Sequence, residues 1–123
     1  MSTRCTINFN HGDRIEAKIY RHMDGYPGDV TVPDSGVLAD LQQFFVDVEA
    51  QTHDTRFTDP SYLAAKFVVW QAMHNAHDSA RPLDFLSLGI LTKNPGDIDY
   101  TYFVNCDTFD THRRPTVTWR KMY

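Results

Sequence analysis

The chain has 123 residues, 41% hydrophobic and 13% aromatic, with no break in composition, so one domain spanning residues 1–123 with an ordinary core is expected. A formal charge of −4 argues against a general binder of DNA or RNA, because non-specific affinity for a phosphate backbone comes from many Lys and Arg contacts. The longest apolar runs are far shorter than the roughly 18 residues that span a bilayer, and the opening residues carry no signal pattern, so a cytoplasmic protein without a membrane anchor is expected.

Cys5, Ile7 and Phe9 alternate with polar residues, His11-Gly12-Asp13 supplies turn chemistry, and Ile15, Ala17 and Ile19 alternate again, which predicts an N-terminal β-hairpin. Residues 21–36 hold three glycines, two prolines and three aspartates, a long irregular loop of the kind that carries function. After Pro33, with Asp34 or Ser35 as cap, Val37, Leu38, Leu41, Phe44, Phe45 and Val48 follow helical spacing to about Ala50. Asp59-Pro60 then predicts a second helix, an Asp cap with Pro in the first turn, running to about Asn75. Residues 85–91 are nearly all apolar and read as a strand covered on both faces or buried in an interface. Asn94-Pro95-Gly96-Asp97 turns the chain into a strand with Ile98, Tyr100, Tyr102 and Val104 on one face. A loop at residues 107–115 precedes a last strand with Val117 and Trp119. The order β-β-α-α-β-β-β predicts an α+β fold, an antiparallel sheet of about five strands with two helices packed on one face.

Cys5 and Cys106 are too few for a four-thiolate zinc site; a hundred residues apart, they read by default as free, buried thiols, with a disulfide between them as the alternative. His74 and His77 stand at i and i+3 beside Asp78 on the second helix, either as metal ligands or as polar surface residues. No P-loop, dinucleotide fingerprint, zinc-protease motif or nucleophile elbow is present in the sequence.

The densest polar cluster is Tyr20-Arg21-His22-Met23-Asp24-Gly25-Tyr26-Pro27-Gly28. Arg21 can grip a phosphate or carboxylate, the glycines let backbone N–H groups approach an anion, and the tyrosines offer stacking faces. Alternatively Arg21 and Asp24 pair to tie down the loop, or His22 and Asp24 act as acid and base. Arg113-Arg114, with Arg120 and Lys121 nearby, form a basic cluster that reads as an anion site, an inter-subunit salt bridge or a solvated face. Among the aromatics, Phe85 and Tyr26 are placed to meet a base ring.

Ser2-Thr3-Arg4-Cys5, the stretch Ile19-Tyr20-Arg21-His22-Met23-Asp24-Gly25-Tyr26-Pro27-Gly28 and Asp97-Ile98-Asp99-Tyr100-Thr101-Tyr102 resemble the first-described Thoeris anti-defence family of phage and prophage proteins. Gly36-Val37-Leu38-Ala39-Asp40-Leu41 and Leu88-Gly89-Ile90-Leu91 extend the resemblance over most of the chain. It implies a non-enzymatic sponge, free of cofactors, that sequesters the cyclic ADP-ribose isomers made by bacterial TIR-domain proteins. A second site for cyclic di- or trinucleotide signals of CBASS immunity is implied as well. It also implies an antiparallel sheet with two helices, assembled as a homo-oligomer, a hexamer before a dimer, with ligand pockets between protomers.

Carried over by residue, the resemblance makes Arg21 a phosphate contact, with Asp24, Tyr26 and Gly28 shaping its loop. It makes Phe85 and Asn94 the adenine contacts and Asp97 an acceptor for a ribose hydroxyl. Arg56 or Arg113 and Arg114 supply charge from the neighbouring protomer or line the second site. A sponge of this kind binds at nanomolar level, about −12 kcal/mol. The competing readings are an enzyme that degrades a nucleotide signal and a protein-interaction module without a small ligand.

Overall fold

The computed structural model describes residues 3–28, 35–76, 80, 81, 83, 86–93 and 95–123. In chain order it contains β1 (Cys5–His11), β2 (Arg14–Arg21), α1 (Gly36–Gln51), α2 (Pro60–Ala76), β3 (Leu88–Leu91), β4 (Tyr100–Phe109) and β5 (Pro115–Lys121). All five strands form one sheet in the order β3-β2-β1-β4-β5.

The sheet is mixed, which corrects the antiparallel expectation. β1 pairs antiparallel with β2, β2 with β3 and β4 with β5, but β1 and β4 run parallel, with Ile7 opposite Tyr102 and Phe9 opposite Val104. Period-two alternation tells which residues share a face and says nothing about the direction of the neighbouring strand. Here β3 already runs the same way as β1, and β4, which pairs on the other edge of β1, runs that way too.

The apolar run at residues 85–91 is not covered on both faces within the single chain. Its strand is limited to Leu88–Leu91 and lies at the sheet edge, where Ile90 is 78% exposed within the single chain. Phe85 and Asn94 lie outside the described residues, as do Asp34, His77 and Asp78.

One sheet face carries Cys5, Ile7, Phe9, Ile19, Tyr102 and Val104 and is buried under both helices. α1 contributes Val37, Leu41, Phe44, Phe45 and Val48, α2 contributes Leu63, Ala64, Phe67 and Trp70, and Phe57 closes the core between them. The rings of Phe44 and Phe67 meet edge to face with centroids 5.3 Å apart. The other face carries a Thr/Asn ladder, in which Thr6 and Thr101 hydroxyls lie 2.8 Å apart and Asn8 Nδ2 donates to Thr101 Oγ1 at 3.0 Å.

The helices form an antiparallel hairpin along the strands. α1 begins at the end of the sheet that holds Cys5, Arg21, Leu88 and Tyr100, hereafter the near end, where Val37 N donates to Tyr26 O and Leu38 N to Pro27 O. It finishes at the far end, which holds His11, Arg14, Phe109 and Pro115. α2 starts there after Asp59, whose Oδ1 accepts from Tyr62 N at 3.5 Å, and returns to the near end, where Gln71 meets Arg21.

Gly36 allows the turn into α1. Its φ is +89°, and a Cβ there would stand 2.6 Å from Pro27 O and 2.7 Å from Gly28 N. Gly36→Ala therefore combines a disfavoured left-handed conformation with a backbone clash, and is expected to cost about 2–4 kcal/mol, read as a lowered urea midpoint at unchanged slope.

Candidate functional site

The residues singled out in the sequence fall into two groups at opposite ends of the sheet. Arg21, Asp24, Tyr26, Gly28 and Asp97 stand at the near end, whereas Arg56, Arg113 and Arg114 stand at the far end.

At the near end Arg21 is a buried tie. Its side chain is 7% exposed, Nη1 lies 2.7 Å from Asp40 Oδ2 and 3.1 Å from Gln71 Oε1, Nε donates to Met23 O, and Nη2 donates to Asp24 O at 3.2 Å. The guanidinium thus joins the loop after β2 to both helices, and its carboxylate partner is Asp40, while Asp24 meets it through a backbone carbonyl. Arg21, Asp24, Gln71, Leu86 and Ser87 line a pocket of about 220 Å³ here. Tyr26 and Gly28 serve the start of α1, Tyr26 through its carbonyl and Gly28 by packing against Gly36. Asp97 is exposed in the turn before β4. His22 Nδ1 lies 2.8 Å from the Tyr20 hydroxyl.

The far end holds a cleft of about 360 Å³ lined by Asp54, Thr55, Arg56, Phe57, Thr58, Phe109 and Arg113. Asp54 Oδ1 accepts from Arg56 N at 3.1 Å, which turns the chain so that Arg56 adopts φ +56°. The Arg56 guanidinium lies 4.5 Å above the Tyr62 ring and 3.6–3.7 Å from the carboxylates of Asp59 and Asp54. Across the cleft, Asp110 organises the β4–β5 turn, its Oδ1 accepting from His112 N at 2.8 Å and Arg114 N at 3.1 Å. The Arg114 and His112 N–H groups hold the Asp110 carboxyl below its usual range, while slight burial opposes them. Arg113 follows at φ +63°, exposed and with no ion-pair partner among the described residues. Arg114 turns away and grips Glu49 at the end of α1, with Nη2 2.8 Å from Oε1 and Nε 3.2 Å from both oxygens. That bond raises the Arg114 pKa and fixes the turn that presents Arg113.

Backbone strain follows the same partition. Among the described residues the non-glycine ones with positive φ are Asp24, Arg56, Ser87, Asp97 and Arg113, and each left-handed side chain costs roughly 1–2 kcal/mol. Arg56 and Arg113 are held in that conformation on opposite walls of one cleft, a strain of the kind concentrated at binding sites.

Of the cleft residues the sequence pointed only to Arg56 and Arg113 and not to Asp54, Thr55, Phe57, Thr58 or Phe109; Phe109 was missed because residues 107–115 read as loop whereas β4 continues to Phe109. The available signal was an aromatic immediately before the turn that carries Arg113.

His74 stacks on Trp70 with centroids 3.9 Å apart, and the Trp70 indole donates to Asp47 Oδ2 at 2.7 Å. Among the described residues no group of three or more His, Cys, Asp or Glu could hold a metal ion, and no helix is long and apolar enough to cross a membrane. Burial pushes both Cys5 and Cys106 up to about 12. Both thiols are free and buried. The native protein is therefore expected to resist a thiol reagent at pH 8 that modifies it fully in urea. The folded thiols keep protons that unfolded thiols release above pH 9. Stability is thus complete below about pH 9 and falls as pH rises toward 12, measurable as a declining urea midpoint.

No family model, curated protein or solved structure matches this chain.

Proposed function

We propose that this protein is a phage anti-defence sponge that binds and sequesters cyclic ADP-ribose isomers made by Thoeris TIR proteins, without cleaving them. The observation that carries this reading is the far-end cleft, which Arg56 and Arg113 line together with Phe109 and Asp54 in a chain of net charge −4. Two guanidinium groups match a pyrophosphate, and the phenyl ring offers adenine a stacking face, so recognition needs neither a metal nor a cofactor. Part of the guanidinium orientation and strain is established before ligand arrives, which lowers the ordering cost that limits affinity.

The near-end residues Arg21, Asp24 and Asp97, with Phe85 and Asn94, belong to the other half of the same reading. One ligand touching both ends needs two chains, which accords with a homo-oligomer, a hexamer before a dimer. Cyclic di- and trinucleotides of CBASS are the proposed ligands of a second site, and the proposed setting is the cytoplasm of the infected bacterial cell.

The test is to mix the protein with a TIR-derived cyclic ADP-ribose isomer, follow its depletion from solution, heat-denature the protein and analyse the released compound by chromatography. Intact compound is expected. Altered compound overturns the sponge in favour of an enzyme that degrades the signal, and an absence of depletion overturns this ligand and directs the assay to cyclic oligonucleotides and then to protein partners.

A further inference from the structure

We propose that the groove between α1 and α2 is a binding site for a small amphiphilic acid, an unbranched apolar chain of medium length that ends in a carboxylate. The groove has a volume of about 360 Å³. Small-molecule sites span roughly 300–1,000 Å³ and are mostly apolar, with a few polar groups that fix orientation. Phe44, Val48 and Trp70, each at most 8% exposed, form the floor of this groove. Tyr62, Val69 and Met73, 56–59% exposed, form its α2 wall. A surface helix normally carries charge at such positions, and here one cation stands among the apolar ones.

That cation is Lys66, four residues after Tyr62 and three before Val69, and therefore their neighbour on the helix surface. It is half-buried and has no ion-pair partner among the described residues. Its Nζ reaches only the carbonyls of Asp54 and Thr55, at 3.5 and 3.4 Å, the outer limit of a hydrogen bond. A carboxylate would give it a shorter, charge-assisted bond. The groove's own carboxylate, Asp47, lies further along and is already engaged, with Oδ1 accepting from Gln43 Nε2 at 2.9 Å and Oδ2 from the Trp70 indole at 2.7 Å. Attraction at Lys66 and repulsion at Asp47 give the acid one direction, its head at Lys66 and its chain along Val69 toward Met73.

Size selects the occupant. From Lys66 to Met73 the helix rises about 10 Å, which sets the length of chain that the wall can cover. One acyl chain fills the groove, whereas a two-chain lipid exceeds it. An α-helix, about 10–12 Å across with its side chains, would rest on the rim without filling the floor. Tyr62 closes the far end of the groove, its ring held by the Arg56 guanidinium 4.5 Å away. The thioether of Met73 at the other end adapts to chains of different length.

The test is titration calorimetry of the wild type with straight-chain carboxylates from butanoate to dodecanoate, each below its micelle concentration. Affinity is expected to rise about fourfold per methylene and to level off once the groove is full. Octanoate is expected to bind at least tenfold more tightly than octanol, a preference that Lys66→Met abolishes and Lys66→Arg keeps. Ala65→Phe puts a ring into the groove from an exposed position, and is expected to weaken octanoate at least tenfold while the protein still melts cooperatively. Affinity that does not change with chain length, octanol bound as well as octanoate, a preference untouched by Lys66→Met, or binding untouched by Ala65→Phe overturns the site. Octanoate affinity that falls as protein concentration and dimer content rise assigns the groove to a second copy. Co-sedimentation with phosphatidylglycerol vesicles that Ala65→Phe abolishes assigns it to a membrane surface. Either result overturns the small acid. No cyclic nucleotide enters these measurements, so their outcome is independent of the proposed sequestration.

Discussion

Replacing Arg56 and Arg113 together by glycine is expected to weaken capture of a cyclic ADP-ribose isomer by roughly 10²–10⁴-fold while leaving the unfolding free energy within about 1 kcal/mol of wild type. The affinity loss follows from two charge-assisted contacts, each contributing about 1.5–3 kcal/mol. The unchanged stability follows from backbone geometry. Both arginines have left-handed φ, +56° and +63°, which glycine adopts without penalty, and that relief offsets the greater freedom glycine gives the unfolded chain. The ion pairs of Arg56 with Asp54 and Asp59 are 3.6–3.7 Å long and partly exposed, so their loss adds little. Titration calorimetry and urea unfolding of the same preparations check the two halves. If affinity is retained, the far-end cleft is not the anion site. If affinity falls only because the protein no longer melts cooperatively, the pair is structural.

Arg21→Met is expected to act in the opposite way, lowering stability by about 3 kcal/mol. The substitution removes a guanidinium whose side chain is 7% exposed and leaves Asp40, 28% exposed, without its 2.7 Å partner. It also releases Gln71 and the carbonyls of Met23 and Asp24, so the loop after β2 loses its tie to both helices. Urea unfolding monitored by tryptophan fluorescence reads the loss directly. An unchanged midpoint would mean that Asp40 and the loop are satisfied without Arg21. Any fall in ligand capture by this variant is therefore to be compared at a temperature where it remains folded.

Local features were legible in the sequence because they act within a few residues. The hairpin at β1 and β2, the helix start at Asp59-Pro60 and the apolar spacing of Val37, Leu41, Phe44, Phe45 and Val48 are consequences of period, cap and proline geometry. The same rules placed the alternating strand at Tyr100 and Tyr102 but ended it too soon. Asp107 and the polar turn beyond it read as loop, whereas pairing of Phe109 with Pro115 carries β4 further.

The candidate site was legible as a set of residue types and not as an arrangement. The concentration of function in the Tyr20 to Gly28 stretch is a property of composition. Whether its arginine faces a ligand or a carboxylate depends on Asp40 and Gln71, which only packing brings to it. Likewise the basic cluster at Arg113-Arg114 is legible in the sequence, but the meeting of Arg113 with Arg56 is not. They meet because α1 ends, and α2 begins, beside the turn between β4 and β5, where Glu49 holds Arg114.

By itself, then, the amino-acid sequence determined two buried thiols, the positions of the helices and most strands, and a chemistry of arginine and aromatic groups. The tertiary structure decided the parallel pairing of β1 with β4, the exposure of Tyr62, Val69 and Met73 on α2 and the separation of the arginines to opposite ends of the sheet. The division has one physical cause. Backbone sterics and side-chain period act locally and are written residue by residue, whereas strand neighbours and ion-pair partners are selected by burial of the whole core, which no short segment specifies.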